Sequence, residues 1–182
     1  MNLLKKSNIA FFVMVAMIVL GTLVGSHNTL MGMRTEAAAV FTAGIRGDGI
    51  GIQGDLRERG SIAYNMVVIA RKYLPEENGL IQAVLNAGKA LDSASGIKEK
   101  AAADKKLEVA VKDLFDVLNG IALAEQDARY PQSLYTDFRS RGDTISHDPY
   151  NKEAAVFNKA LSGFPAGLLG GLTGVRSLDL FE

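Results

Sequence analysis

The apolar residues of this chain form one long run near the N-terminus, followed by short seams of regularly spaced positions. The run is Ile9–Gly25, 17 residues without a charge. As a helix it spans roughly 26 Å, close to the ~30 Å thickness of a bilayer's hydrocarbon core. Lys5 and Lys6 precede it, and Arg34 is the first Lys or Arg after it. This asymmetry predicts a membrane anchor with a cytoplasmic N-terminus and the remaining chain outside.

A cleaved signal peptide is the alternative interpretation of the same run, because it also begins with basic residues and an apolar stretch. The run is longer than the usual apolar region of a signal peptide, and no A-x-A-like cleavage site follows it. Val24-Gly25-Ser26 is only a poor substitute for one. We therefore favour the anchor.

Beyond the run, apolar residues recur at intervals of three and four, which is typical of helices that bury one face. Sustained alternation of apolar and polar residues, the strand signal, is absent from the sequence. The seams are Ile62, Met66, Ile69 and Tyr73; Leu80, Val84, Ala87 and Leu91; Leu107, Val111, Leu114, Leu118 and Ile121; and Val156, Phe157, Ala160 and Leu161.

The seams and the breaks between them predict an all-α fold. A single N-terminal transmembrane helix precedes an antiparallel, up-and-down bundle of about four helices. We expect Pro75 to start a helix, Tyr130-Pro131 to end the longest one, and residues 140–149 to form a polar loop. The predicted helices beyond the anchor are 26–44, 52–73, 76–92, 98–129 and 149–162. The predicted domains are 1–25, a cytoplasmic stub and anchor; 26–162, the bundle; and 163–182, a Gly-rich apolar tail that packs on the bundle or touches lipid.

Composition removes several function classes. The chain has 20 Lys and Arg against 20 Asp and Glu, so it lacks the basic excess that nucleic acid binding requires. Without Cys it can form neither a disulfide nor a thiolate nucleophile, and its 2 His cannot build a multi-histidine metal site. We expect no metal, no cofactor, no small-molecule substrate and no enzymatic activity.

Two glycine-containing motifs have both a functional interpretation and a simpler one as turns. Residues 49–54 spell G-x-G-x-x-G, but a dinucleotide site needs this motif between a buried strand and a helix, and no strand is predicted there. Arg-Gly-Asp occurs at 46–48 and again at Arg141-Gly142-Asp143. On the predicted loop, the second copy is a possible interaction site that an adhesion receptor could bind. The nearby Asp143, His147 and Asp148 have no recognised metal-ligand spacing and read as a solvated turn.

A series of short landmarks follows the chain in order. They are Asn65 in the stretch Leu56–Val67; Tyr130-Pro131; Tyr150-Asn151; Asn158 after Val156-Phe157; Phe164-Pro165; and the closing Phe181-Glu182. With these landmarks the chain resembles the LemA family of bacterial membrane-associated proteins. The resemblance implies an antiparallel helical bundle on a single anchor, and it implies no established catalytic activity. The interval between Tyr130 and Tyr150 is shorter than in the family, which predicts the loss of much of a helix there.

These observations predict a non-enzymatic, membrane-anchored scaffold or protein-interaction module of the cell envelope. Its expected partners are membrane lipid and other membrane or envelope proteins, or further copies of itself. Asn65, Asn151 and Asn158 are assigned structural roles, because a buried amide must be hydrogen-bonded and can thereby fix helix register. The alternatives are a receptor or adhesin-like protein that uses residues 141–143, and an enzyme whose pocket the sequence does not reveal.

Overall fold

Regular structure in this protein is helical throughout the part that the computed structural model describes, the backbone of residues 7–45, 49 and 51–182. The long apolar N-terminal helix and the all-helical class are confirmed. The helices are α1 Ser7–Ala43, α2 Ile52–Ala70, α3 Gly79–Ser93, α4 Ile97–Gly120, α5 Tyr130–Ser146, α6 Tyr150–Ser162 and α7 Ala166–Thr173.

The chain forms two compact units, and α1 and α6 each contribute residues to both. The bundle unit contains Ala39–Asn151 and Asp179–Glu182. The apolar-helix unit contains the chain up to Ala38 together with Lys152–Leu178.

Helices α2 to α5 build the bundle unit. Each helix packs against the next one along the chain, and α2 also contacts α4 and α5. Short connections between packed neighbours make consecutive helices antiparallel, as predicted. The predicted seams supply the core, because their large apolar side chains are almost fully removed from water. The buried seam residues include Met66, Val84, Leu91, Leu107, Val111, Leu114 and Leu118.

Gly51 is required by a close backbone approach where α2 begins. A Cβ at this position would lie 2.7 Å from the carbonyl oxygens of both Val40 and Phe41. Only glycine fits such an approach. The G-x-G-x-x-G sequence therefore has a packing role here, and it follows helix α1 rather than a strand.

Helix α4 is shorter than the predicted 98–129, because the chain leaves it after Gly120 to form turns. The Ala124 amide donates to the Tyr73 hydroxyl at 3.1 Å, and the Asp127 carboxylate accepts from that hydroxyl at 2.8 Å. These long-range bonds take main-chain and side-chain groups that a continuing helix would place elsewhere. Tyr130 and Pro131 thus begin α5 instead of ending a helix.

Residues 140–149 are not the predicted loop, since α5 continues through Ser146. The expected loss of a helix between Tyr130 and Tyr150 is likewise wrong. The reason is that α5 buries Phe138 and Ile145, which lie seven residues apart on one face of the helix.

The end of the chain is held to the bundle unit by α6 residues. The Asn151 amide donates to the Phe181 carbonyl at 2.9 Å and accepts from the Phe181 amide at 2.8 Å. Tyr150 is fully buried and donates its hydroxyl to the Asp179 carbonyl at 2.6 Å. The Phe41 ring packs edge-on against Tyr150, with 5.3 Å between ring centroids. The structure thus shows what Asn151 binds, which is the main chain of Phe181.

A second asparagine binds the main chain in the same way in the apolar-helix unit. Asn158 donates to the Leu178 carbonyl at 2.9 Å and accepts from the Leu178 amide at 2.8 Å. The Arg34 side chain donates to the Arg176 carbonyl at 2.9 Å. The core of this unit is small and apolar, and its buried residues include Leu30, Ala154, Phe157, Val175 and Leu178.

Within the predicted Gly-rich tail, residues 166–173 form the helix α7 and the chain after Thr173 has no regular structure. Gly174 ends α7 with a left-handed φ of 77°, the conformation in which glycine is favoured after a helix. The glycines of this segment therefore include a specific helix end.

We expect Asn151→Ala to free the last residues of the chain while leaving the helices intact. The variant loses two hydrogen bonds to one residue, at a local cost of about 1–2 kcal/mol. Hydrogen exchange at the Phe181 amide measures this opening.

The matched control is Asn65→Ala, because the Asn65 side chain is exposed on α2. Two results contradict a role of Asn151 in holding the chain end. They are unchanged hydrogen exchange at the Phe181 amide in Asn151→Ala, and an equal acceleration of that exchange in both variants.

Candidate functional site

Helix α1 presents its apolar side chains outward instead of packing them. Its span Ile9–Ala43 has an 18-residue window of mean hydropathy 2.5, and none of that window is buried within the protein. Phe12, Ile18 and Leu20 are each at least 60% exposed. Length, composition and exposure together meet what a membrane-crossing helix requires.

The most constrained polar group of the bundle unit is the Arg59 guanidinium on α2. Arg59 is 1% exposed, although an arginine cannot lose its charge. Its Nε donates to Asp104 of α4 at 2.7 Å, and its Nη1 donates to the Phe138 carbonyl of α5 at 3.1 Å. The guanidinium also lies 3.9 Å from the centre of the Phe138 ring, a cation–π contact. One side chain thus joins three helices.

The acidic partners of this cluster lie in different environments. Asp104 is nearly buried, and burial raises the pKa of its carboxyl above the ordinary value, although the nearby Arg59 opposes this rise. Glu108 is largely exposed, and its Oε2 lies 3.7 Å from Arg59 Nη2. Among the described residues, Arg59 Nη2 finds no hydrogen-bond partner. The cluster is therefore held chiefly by the Arg59–Asp104 pair and the Phe138 main chain.

The second Arg-Gly-Asp sequence belongs to the same cluster. Arg141 donates from Nη1 to buried Asp55 at 3.1 Å, and a Cβ on Gly142 would collide with Arg59 Nη1. These residues lie on α5, so the predicted exposed loop is corrected to a helix that packs on α2. Arg141 and Gly142 contact α2, but the Arg141 side chain is still 47% exposed, and Asp143 is exposed as well.

A further buried carboxylate, Asp127, lies in the turn between α4 and α5. It accepts from Lys72 at 2.9 Å and from the Tyr73 hydroxyl at 2.8 Å. Those two hydrogen bonds hold the pKa of Asp127 below its ordinary value. No local sequence pattern indicates this arrangement, because Asp127 lies beyond the apolar seam of α4 and its partners Lys72 and Tyr73 are 55 and 54 residues away in the chain.

The remaining predicted site residues divide into exposed and internal positions. Asn65 is exposed on α2, so the prediction that its amide is buried and fixes helix register is wrong. Tyr130 begins α5 with 41% exposure, while Pro131 is buried in the first turn. Phe164 is exposed, and Pro165 precedes α7.

Two groups of predicted residues lie outside the described part of the chain. They are the anchor-flanking Lys5 and Lys6, and the first Arg-Gly-Asp at 46–48.

Open grooves are present on both units. In the apolar-helix unit, a groove of about 410 Å³ is lined by Gly21, Gly25 and Leu30 of α1 and by Ala166 and Leu169 of α7, among others. In the bundle unit, a groove of about 710 Å³ runs along α3 and α4, over alanines of both helices and beside Lys105, Lys106 and Asp113. Among the described residues, no three His, Asp or Glu side chains are grouped to hold a metal ion.

The sequence contained a usable signal for the Arg59 cluster. Arg59 lies between Leu56 and Ala63 in a series of buried α2 positions separated by three or four residues. Asp104 stands three residues before Leu107 and so extends the apolar seam of α4. A charged residue at a seam position predicts a buried ion pair, because it must face the neighbouring helices.

Comparison with known proteins gives one family match. The model described as "LemA family" matches residues 50–182. No protein in the curated set matches the chain.

Gly142→Ala is expected to destabilise the protein, whereas Gly60→Ala stabilises it. Both glycines are inside helices, and alanine in a helix interior is ordinarily favoured by about 0.5–1 kcal/mol. At Gly60 an added Cβ meets nothing within 4 Å, but at Gly142 it displaces Arg59 Nη1 from the Phe138 carbonyl. We expect a loss of about 1–3 kcal/mol at Gly142, measured by chemical denaturation of the full chain in mild detergent. Equal shifts in both variants are inconsistent with the close packing of Gly142 on Arg59.

Replacing one member of the Arg59–Asp104 pair is expected to cost more than replacing both. Arg59→Met or Asp104→Leu leaves an uncompensated buried charge, at a cost of about 3–5 kcal/mol. The double variant removes both charges, and most of that loss is recovered. Denaturation of the four proteins in a double-mutant cycle measures the coupling.

The control for this cycle is Lys112→Met with Asp116→Leu, an exposed ion pair on α4. Its coupling is expected to be below about 1 kcal/mol. Additive losses at Arg59 and Asp104 refute the buried pair as the organising contact.

Proposed function

This chain belongs to the LemA family, and from that membership we propose that it is a membrane-anchored, non-enzymatic helical bundle that acts as an envelope scaffold or protein-interaction module. The proposal places α1 across the cell membrane, with the N-terminus in the cytoplasm and the bundle outside. It gives the protein membrane lipid and other membrane or envelope proteins, or further copies of itself, as partners.

The observation that carries the proposal is the unpacked apolar surface of α1. Burial of apolar surface contributes roughly 25 cal/mol per Å², and the first half of α1 exposes nearly every large side chain that it has. A helix from Ile9 needs ~20 residues to cross the hydrocarbon core, and α1 supplies them without Lys, Arg, Asp or Glu before Arg34. A bilayer is the environment that makes this surface favourable.

The use of polar groups in the bundle unit supports a structural role over an enzymatic one. The buried charged side chains of this unit bond to neighbouring elements of the fold. Arg59 and Asp104 bond to each other, and Asp127 accepts from Lys72. An active site instead needs convergent polar groups that face an accessible pocket.

The orientation rests on the sequence. Lys5 and Lys6 flank the apolar run on one side, and basic residues next to a membrane helix favour the cytoplasmic face. The bundle then follows on the other side.

Single cysteines test both anchoring and orientation, because the chain has no cysteine of its own. Val109 is 61% exposed on α4, and Ile18 is 60% exposed on α1. We expect full-length Val109→Cys to sediment with membranes, to resist carbonate extraction and to react on intact cells with a membrane-impermeant maleimide. Ile18→Cys is expected to stay unlabelled without detergent. Reversing the flanking charges with Lys5→Glu and Lys6→Glu should lower the labelling of Val109→Cys.

Recovery of a soluble chain that lacks its first residues contradicts the anchor and supports the signal peptide. Labelling of Val109→Cys only after cell lysis contradicts the orientation. Crosslinked detergent extracts that contain neither self-associated chain nor a partner contradict the interaction role.

A further inference from the structure

The outward face of α7 is apolar and uncovered. Phe164, just before the helix, is 90% exposed, and Leu168 and Leu172 are 59% and 67% exposed. Positions separated by four residues lie on one side of a helix, so the two leucines form a stripe that Phe164 extends. A contiguous exposed apolar patch of this kind marks a surface that contacts something other than water.

The opposite face of α7 is fixed by close packing within the same unit. A Cβ on Gly170 would lie 2.6 Å from Leu161 Cδ1 and 3.8 Å from Leu30 Cδ1, and a Cβ on Gly167 would lie 3.0 Å from the Leu161 carbonyl. The two glycines thus let α7 lie close to Leu161 and Leu30. A rotation of α7 that buried Leu168 and Leu172 would give up these contacts.

The part of α1 beside α7 is the end of its apolar run. The groove shared by the two helices is lined by Gly21, Gly25 and Thr29 of α1 and by Ala166 and Leu169 of α7. A helix that enters the hydrocarbon core near Ile9 leaves it after ~20 residues, which is close to these positions. Helix α7 thus lies beside α1 at the depth of a membrane surface.

Charges border this surface without entering it. The sequence contains no Lys, Arg, Asp or Glu between Lys159 and Arg176. Arg34, the first charge after the apolar run, bonds to the main chain of Arg176. Basic side chains at this depth suit the phosphates of lipid headgroups.

We propose that Phe164 and α7 form a second membrane-contacting element, which lies in the boundary between headgroups and acyl chains of the bilayer that α1 crosses. The inference rests on the proposed anchoring by α1 and adds a lipid-binding surface to it. The occupant is lipid because α7 shares a groove with α1 in the same unit, next to the exposed apolar run that the proposed anchor places in the bilayer. A stable protein interface needs about 800 Å² per partner, more than three side chains supply.

Depth-dependent quenching in vesicles tests this element. The full-length Leu168→Cys variant is labelled in detergent with an environment-sensitive fluorophore and reconstituted into vesicles of phosphatidylcholine and phosphatidylglycerol. We expect blue-shifted emission that shallow nitroxide-labelled lipids quench more strongly than deep ones.

Two control variants define the scale. Ile18→Cys, in the middle of the apolar run, is expected to be quenched more strongly by deep nitroxides. Val109→Cys is equally exposed but lies beside Lys105, Lys106 and Asp113, and it is expected to remain unquenched. Circular dichroism of each labelled protein checks that its helices are retained.

The outcomes separate the inference from the anchoring on which it rests. Quenching at Ile18 without quenching at Leu168 overturns the inference and leaves the anchor intact. A blue shift at Leu168 without lipid quenching also overturns it, and self-quenching of the label then identifies a second copy of the chain as the occupant. Absence of quenching at both positions overturns the anchoring and the inference together.

Discussion

A guanidinium that keeps its charge and has almost no contact with water sets the geometry of the bundle. Transfer of such an ion out of water costs several kcal/mol even after relaxation, so Arg59 needs partners in fixed places. Asp104 of α4 and the Phe138 carbonyl of α5 provide them. Because each partner lies on a different helix, displacement of either helix would leave Arg59 buried without one of its hydrogen-bond partners. This contact specifies the arrangement of α2, α4 and α5 more than it stabilises them, since apolar side chains in the same places would be about as stable.

The chain end presents the complementary problem, an extended segment with no sheet to pair its main chain. A carboxamide carries a donor and an acceptor side by side and so reproduces the hydrogen-bonding edge of a peptide group. Asn151 satisfies both main-chain groups of Phe181 in the bundle unit, and Asn158 satisfies both groups of Leu178 in the apolar-helix unit. Neither aspartate nor leucine can take this role, because the first has no donor when ionised and the second has no polar atom.

Sequence patterns predicted the elements that local periodicity determines and failed where distant contacts decide. The helices α2 to α4 follow from the spacing of apolar residues, and the start of α6 at Tyr150 follows from Pro149, which suits the beginning of a helix. The end of α4 depends on Tyr73, which binds the Ala124 amide from 51 residues away, and no local pattern contains that contact. The sequence likewise indicated structural asparagines at 151 and 158 but not the residues they bind. Arg59 stands at a seam position of α2, but its partners Asp104 and the Phe138 carbonyl are 45 and 79 residues away, and no local pattern contains those contacts.

The distribution of polar and apolar groups in the described residues is partly inverted relative to a water-soluble protein. Arg59 and Asp104 are buried in the bundle unit, while Phe12, Ile18 and Leu20 are exposed in the apolar-helix unit. A buried ion pair orients the helices that carry it more than it adds net stability. Exposed apolar surface becomes favourable where a bilayer covers it, and so it determines where the protein lies. The Arg-Gly-Asp tripeptide of α5 shows the same internal use of polar groups. Arg141 pairs with buried Asp55 and Gly142 leaves room for Arg59, so the position of both residues follows from the packing of α5 on α2.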